Sequence, residues 1–125
     1  MNLVDSSGWL EYFADGSNAQ FYAGAIEDTK KLIVPSVCLF EVFKRLLHQK
    51  GEGVALKGVS AMQQGQVIPL DHTLALTSSK LSYSMKLPMA DSIILATARS
   101  FKATLWTQDV DFKGILGVKY IEAKR

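Results

Sequence analysis

Cysteine is almost absent from the chain, with Cys38 alone, and histidine is limited to His48 and His72. A lone cysteine excludes an intrachain disulfide, and these three side chains are too few for a four-ligand Cys/His zinc site. Any metal would have to be held by oxygen. No apolar run approaches the roughly 20 residues that cross a bilayer, and no basic segment with a long apolar core opens the chain, so a cytosolic protein without membrane contact is expected. Charge of one sign is also lacking. The 14 Lys and Arg against 12 Asp and Glu leave a net charge of +2, too mild to establish a nucleic-acid partner by composition. There is no Gly-x-x-x-x-Gly-Lys phosphate loop, no Gly-x-Ser-x-Gly elbow, no His-Glu-x-x-His motif, and no internal repeat, low-complexity tract or linker.

What is present suits one compact domain over residues 1–125, since 125 residues with 48% hydrophobic content are enough to close a single core. Met1 to Val4 reads as a strand, followed by a helix over about Ser7 to Phe13 and turn chemistry at Asp15-Gly16-Ser17-Asn18. Phe21, Tyr22, Ala25 and Ile26 then recur at helical spacing. Leu32-Ile33-Val34 is a short strand stopped by Pro35, and Ser36 is placed to cap a helix of about Val37 to Gln49. After Gly51-Glu52-Gly53, a weaker helix carries Ala55, Val59 and Met62 and is destabilised by Gly58. Val67 to Leu70 reads as an edge strand because Pro69 cannot donate to a ladder, and Asp71 can cap a helix reaching about Met85. Leu87-Pro88 opens another helix with an apolar stripe of Ile94, Thr97, Ala98 and Phe101. Thr104 to Thr107 and Val118 to Ile121 are the last strands. Strands alternating with helices predict an α/β fold with a mainly parallel sheet covered on both faces.

Four carboxylates stand where one element gives way to the next: Asp5 after the first strand, Glu41 in a helix, Asp91 at a helix start and Asp109 after Thr104 to Thr107. Open α/β sheets bind ligands beyond the carboxyl ends of their strands, where Asp5 and Asp109 fall. Gathered carboxylates repel one another, and a hard cation such as Mg²⁺ relieves the repulsion. Each acid also has an ordinary reading. Asp5 can cap a helix, Glu41 can pair with Arg45 one turn on, Asp91 can answer the helix dipole, and Asp109 and Asp111 can shape a turn. On a helical wheel Leu39, Phe40, Val42, Phe43, Leu46 and Leu47 share one broad face, and Glu41 lies opposite it, near Lys44, Arg45 and His48. Lys44, Arg45, Arg99 and Lys102 are candidates to hold a phosphate backbone, against the alternative of a solvated mixed-charge surface.

Val4-Asp5-Ser6-Ser7, Val34-Pro35-Ser36 followed by Glu41, Leu87-Pro88-Met89-Ala90-Asp91 with the apolar run to Ala98, and Thr107-Gln108-Asp109-Val110-Asp111-Phe112 occur in this order along nearly the whole chain. Together they resemble the PIN-domain proteins, in particular the small VapC-type ribonuclease toxins. The resemblance implies Asp5, Glu41 and Asp91 as core acids and catalytic metal ligands and Asp109 as a fourth, with Ser6 and Thr107 assisting and Asp111 competing for the fourth place. It further implies an endoribonuclease dependent on Mg²⁺ or Mn²⁺, an RNA substrate, a homodimer, and a small antitoxin that occludes the cleft. Trp9, Tyr12, Phe13 and Tyr22 are candidates for exposed aromatics facing such a partner, against the alternative that they are core residues. A rival expectation is a PIN-like module that binds RNA or protein without cutting. A metal-dependent phosphatase acting on small molecules is a third.

Overall fold

The computed structural model describes residues 1–124, and among these are five β-strands and six α-helices, the helices falling in pairs between the first four strands. The strand β1 (Asn2–Val4) gives way at once to α1 (Ser6–Phe13), because the Asp5 side chain accepts from the Gly8 N–H and closes the free helix end. The helix α2 (Ala19–Glu27) leads back to β2 (Leu32–Pro35), which is buried at every position, as a parallel strand covered on both faces must be. The helices α3 (Ser36–Lys50) and α4 (Glu52–Met62) fold against each other about Gly51, whose φ of 88° is readily reached only without a Cβ. Gly58, unfavourable for helix propensity, lies where α4 closes on α3: an added Cβ would stand 2.7 Å from Leu46 Cδ1. Next come β3 (Gln66–Ile68), α5 (His72–Met85), α6 (Met89–Ser100), β4 (Thr104–Thr107) and β5 (Val118–Tyr120).

All strand pairs are parallel, in the order β3-β2-β1-β4-β5. Leu3 in the central strand pairs with Ile33 on one side and Leu105 on the other. The chain winds outward from β1 to β3 and then returns to place β4 against the free side of β1. That reversal opens a crevice beyond the carboxyl ends of β1 and β4, the place where doubly wound sheets bind ligands. Leu3, Val4, Ile33, Val34 and Leu105 of the sheet form the core with Trp9, Tyr22, Val42, Ile94 and Leu95 of the helices.

Several local expectations are corrected. Pro35, not Ser36, occupies the cap of α3, and the Ser36 hydroxyl accepts from Leu70 N at 3.3 Å. β3 ends before Pro69, although it is the predicted edge strand. α6 carries no stripe: Ser92 to Ala98 are all buried, because α5, α3, β2 and β4 pack around it. Trp9 and Tyr22 are fully buried core residues and offer no surface to a partner. Phe40 and Leu47, by contrast, leave the apolar face of the α3 wheel and are exposed.

Candidate metal-binding active site

Asp5, Glu41, Asp91 and Asp109 line one cleft of about 530 Å³ at the switch point of the sheet. Each arrives on a different element. Asp5 extends β1 by one residue, its N–H still bonded to the Trp106 carbonyl of β4. Its Oδ1 accepts from Ser7 Oγ at 2.8 Å and from Gly8 N at 2.9 Å, and its Oδ2 accepts from Thr107 Oγ1 at 2.6 Å. The helix-capping reading of Asp5 is therefore correct, and the same carboxylate also faces the cleft. Burial pushes its pKa up to about 6, against the pull of the Thr107, Gly8 and Ser7 hydrogen bonds, and the charge of Asp109 adds to the rise.

Thr107 is the joint of the site. Fully buried, its hydroxyl donates to Asp5 and accepts from the Asp109 N–H at 2.9 Å, so one oxygen sets two acids relative to each other. Asp109 in turn caps the short helical turn Val110–Phe112 by accepting from Asp111 N at 3.0 Å. Asp91, in the first turn of α6, has its pKa pushed up to about 8. Burial is the main cause, followed by the charge of Asp109 and by proton sharing with Asp111 and Asp109. Carboxylate oxygens of Asp91, Asp109 and Asp111 lie within 4.8 Å of one another. Asp111 thus joins the fourth acid, although it is more exposed. Glu41 accepts from Ser6 Oγ at 2.6 Å, which ties α3 to the start of α1.

These donors are all oxygen, and three of the acids are close enough that ionising them together is costly. Both facts fit a hard divalent cation such as Mg²⁺ or Mn²⁺. Cys38 lies buried nearby, but burial pushes its thiol well above its ordinary pKa, which leaves it unreactive.

Lys44, Arg45 and His48 line the same cleft on the outer turns of α3. Arg99 and Lys102 are not brought to it. They line a separate groove with Thr104 and Gly117, toward the amino end of β4. α6 starts at the acids, and eight residues of helix carry Arg99 about 12 Å along the axis from Asp91.

Two residues that the sequence does not mark for the site are Phe40, which lines the cleft instead of joining the apolar face of α3, and Asn18. The Asn18 side chain is buried, and its Nδ2 donates to Gln108 Oε1 and to the Glu122 carbonyl, each at 3.0 Å, holding the residue before Asp109. Asn18 carried only a turn signal, and its partners are 90 and 104 positions away.

The PIN domain family profile matches residues 3–116, and the chain belongs to that family. No curated protein sequence matches it. Among solved structures, it resembles a toxin-antitoxin complex from Klebsiella pneumoniae at 26% identity, with a TM-score of 0.79 over 95% of this chain and 96% of that one. The sarcin-ricin loop cleaving toxin VapC20 of Mycobacterium tuberculosis aligns at 16% identity and TM-score 0.78, covering 95% of this chain and 99% of that one. DNA-bound VapBC from Salmonella typhimurium aligns at 14% identity and TM-score 0.73, over 98% of each chain. The last two likenesses concern the fold.

Proposed function

We propose that this chain is an endoribonuclease toxin of the VapC type, cutting RNA phosphodiester bonds with the help of Mg²⁺ or Mn²⁺ and held in check by an antitoxin. The observation that carries this reading is the convergence of Asp5, Glu41, Asp91 and Asp109 on one cleft at the switch point of a PIN-domain sheet. The likeness to a toxin-antitoxin complex supports the antitoxin. A homodimer and a cytosolic location complete the proposal.

Asp5, Glu41, Asp91 and Asp109 would hold the metal, with Asp111 beside them. The ion would supply charge neutralisation on the phosphoryl and leaving oxygens and a more acidic bound water. Thr107 and Ser6 keep Asp5 and Glu41 in fixed orientations through their hydroxyl hydrogen bonds. Lys44 and Arg45, exposed on the cleft wall, draw the phosphate backbone toward the acids. Water adds to phosphorus in line with the departing 3′-oxygen, which takes a proton, leaving a 5′-phosphate and a 3′-hydroxyl.

Incubating the purified chain with a mixed pool of structured RNAs in Mg²⁺, in Mn²⁺ and in EDTA tests the proposal. Cutting in either metal but not in EDTA, with 5′-phosphate ends, is the expected result. Cutting that survives EDTA removes the metal-centre reading. RNA binding without cutting in either metal would favour a non-catalytic module.

A further inference from the structure

Phe40 is 64% exposed, in a helix whose neighbouring apolar side chains Cys38 and Val42 are fully buried. A single exposed apolar side chain is ordinary. Phe40 is set apart by its surroundings. It lines the acid cleft one residue before Glu41, whereas the other exposed aromatics, Tyr83 and Phe101, lie outside that cleft. Lys44, one turn further along α3, places its Nζ 5.8 Å from the centre of the Phe40 ring. Arg45 and His48 continue the same wall. The cleft therefore offers, in sequence along one helix, an aromatic face, a carboxylate and cations. A nucleotide carries the complementary pair: a flat base that stacks on aromatic rings whatever its identity, and a phosphate that pairs with Lys or Arg.

Resting on the nuclease reading above, we propose that Phe40 is the base-stacking platform of the substrate cleft. An unpaired base next to the bond that is cut lies on its ring, while Lys44 and Arg45 hold the attached phosphate. The ring is available only to a base that has left its helical stack, so the cleft selects single-stranded or looped RNA over duplex. Because every base has a π-face, Phe40 confers strandedness without fixing a sequence. An exposed aromatic can also serve a protein contact. The adjoining cations and acids favour the nucleotide.

The test uses the full-length chain as wild type, Phe40→Leu and Phe40→Trp. Each is titrated into a single-stranded oligoribonucleotide carrying a fluorescent purine, and into the same strand annealed to its complement. Ca²⁺ is present as an oxygen-preferring cation. Wild type should quench the single strand and bind the duplex more weakly. Phe40→Leu should weaken single-strand binding by about 5- to 150-fold, the loss of one base stack, and Phe40→Trp should retain it. Unchanged melting temperatures show that the variants fold. Single-strand affinity unchanged in Phe40→Leu, or binding by wild type without quenching, overturns the proposal and leaves Phe40 as a surface for a protein partner. Quenched binding without cleavage would keep the stacking platform and remove the nuclease. Cleavage with an indifferent Phe40→Leu variant would do the reverse.

Discussion

The Asp91 carboxyl, with its pKa pushed from 3.8 to about 8, is protonated in the folded chain over a pH range where the unfolded chain ionises it. Between those two values the folded state binds more protons, so this group's contribution to stability falls as pH rises through the window. Asp91→Asn removes that dependence. In metal-free buffer the variant should melt above wild type at about pH 8, and the difference should shrink as pH falls toward 4, which thermal melts in EDTA can follow. A gain of equal size at both ends of the window would contradict the account. Thr107→Val removes the donor to Asp5 and the acceptor for Asp109 N together. It should cost about 1–3 kcal/mol in denaturant unfolding and about 10- to 100-fold in Mn²⁺ affinity, with Thr107→Ser close to wild type. Asp5 and Asp109 could be read in the sequence because each follows a short apolar strand. Asp111 could not be placed, since its contact with Asp91 and Asp109 depends on how tightly the turn Val110–Phe112 closes.

Among the elements, the junction of β1 with α1 shows how closely the site and the core are joined. An added Cβ at Gly8 would stand 2.5 Å from Tyr22 Cε1 and 2.6 Å from Val4 Cγ1, both side chains fully buried. Gly8→Ala should therefore destabilise by about 1–3 kcal/mol through overpacking, despite the roughly 0.5–1 kcal/mol that alanine gains in helix propensity. Equilibrium unfolding in urea decides the matter, and net stabilisation would show that the α1–α2 contact yields easily. Asp71→Ala, which deletes the acceptor for Leu74 N at 2.8 Å, should cost about 1 kcal/mol by the same measurement. Most elements were legible because β-branched apolar triplets alternate with helical spacing. The helix α6 was legible from Pro88 onward, but its burial on all sides was not, because periodicity reports an amphipathic surface and this helix is covered by α3, α5 and the sheet. Ser36 was misread because Pro35, with φ −61° and ψ 140°, already has the extended geometry of a cap.

At the scale of the molecule, the parallel sheet followed from the alternation of strands and helices, but its order β3-β2-β1-β4-β5 did not. That order is what brings Asp5 and Thr107, 102 positions apart, into contact at 2.6 Å. It also separates groups that are neighbours in sequence. Arg99 and Lys102 follow Asp91 closely along the chain yet line another groove, because a helix leaving the site carries its far end away. Burial of Trp9 and Tyr22 follows from the same closure, which packs α2 against β1, α1 against α3 and β4, and the two helices against each other. Whole-molecule placement thus decides which charges share the cleft: Asp5, Glu41, Asp91 and Asp109 at one end with Asp111 beside them, and Lys44, Arg45 and His48 along its wall. The most direct measurement is the rate of RNA cleavage against Mn²⁺ concentration for wild type and Asp91→Asn. The account predicts a saturable dependence in wild type and a rate at least about 100-fold lower in the variant at every concentration, with the variant still folded. Cleavage independent of Mn²⁺, or a variant that matches wild type, would contradict it.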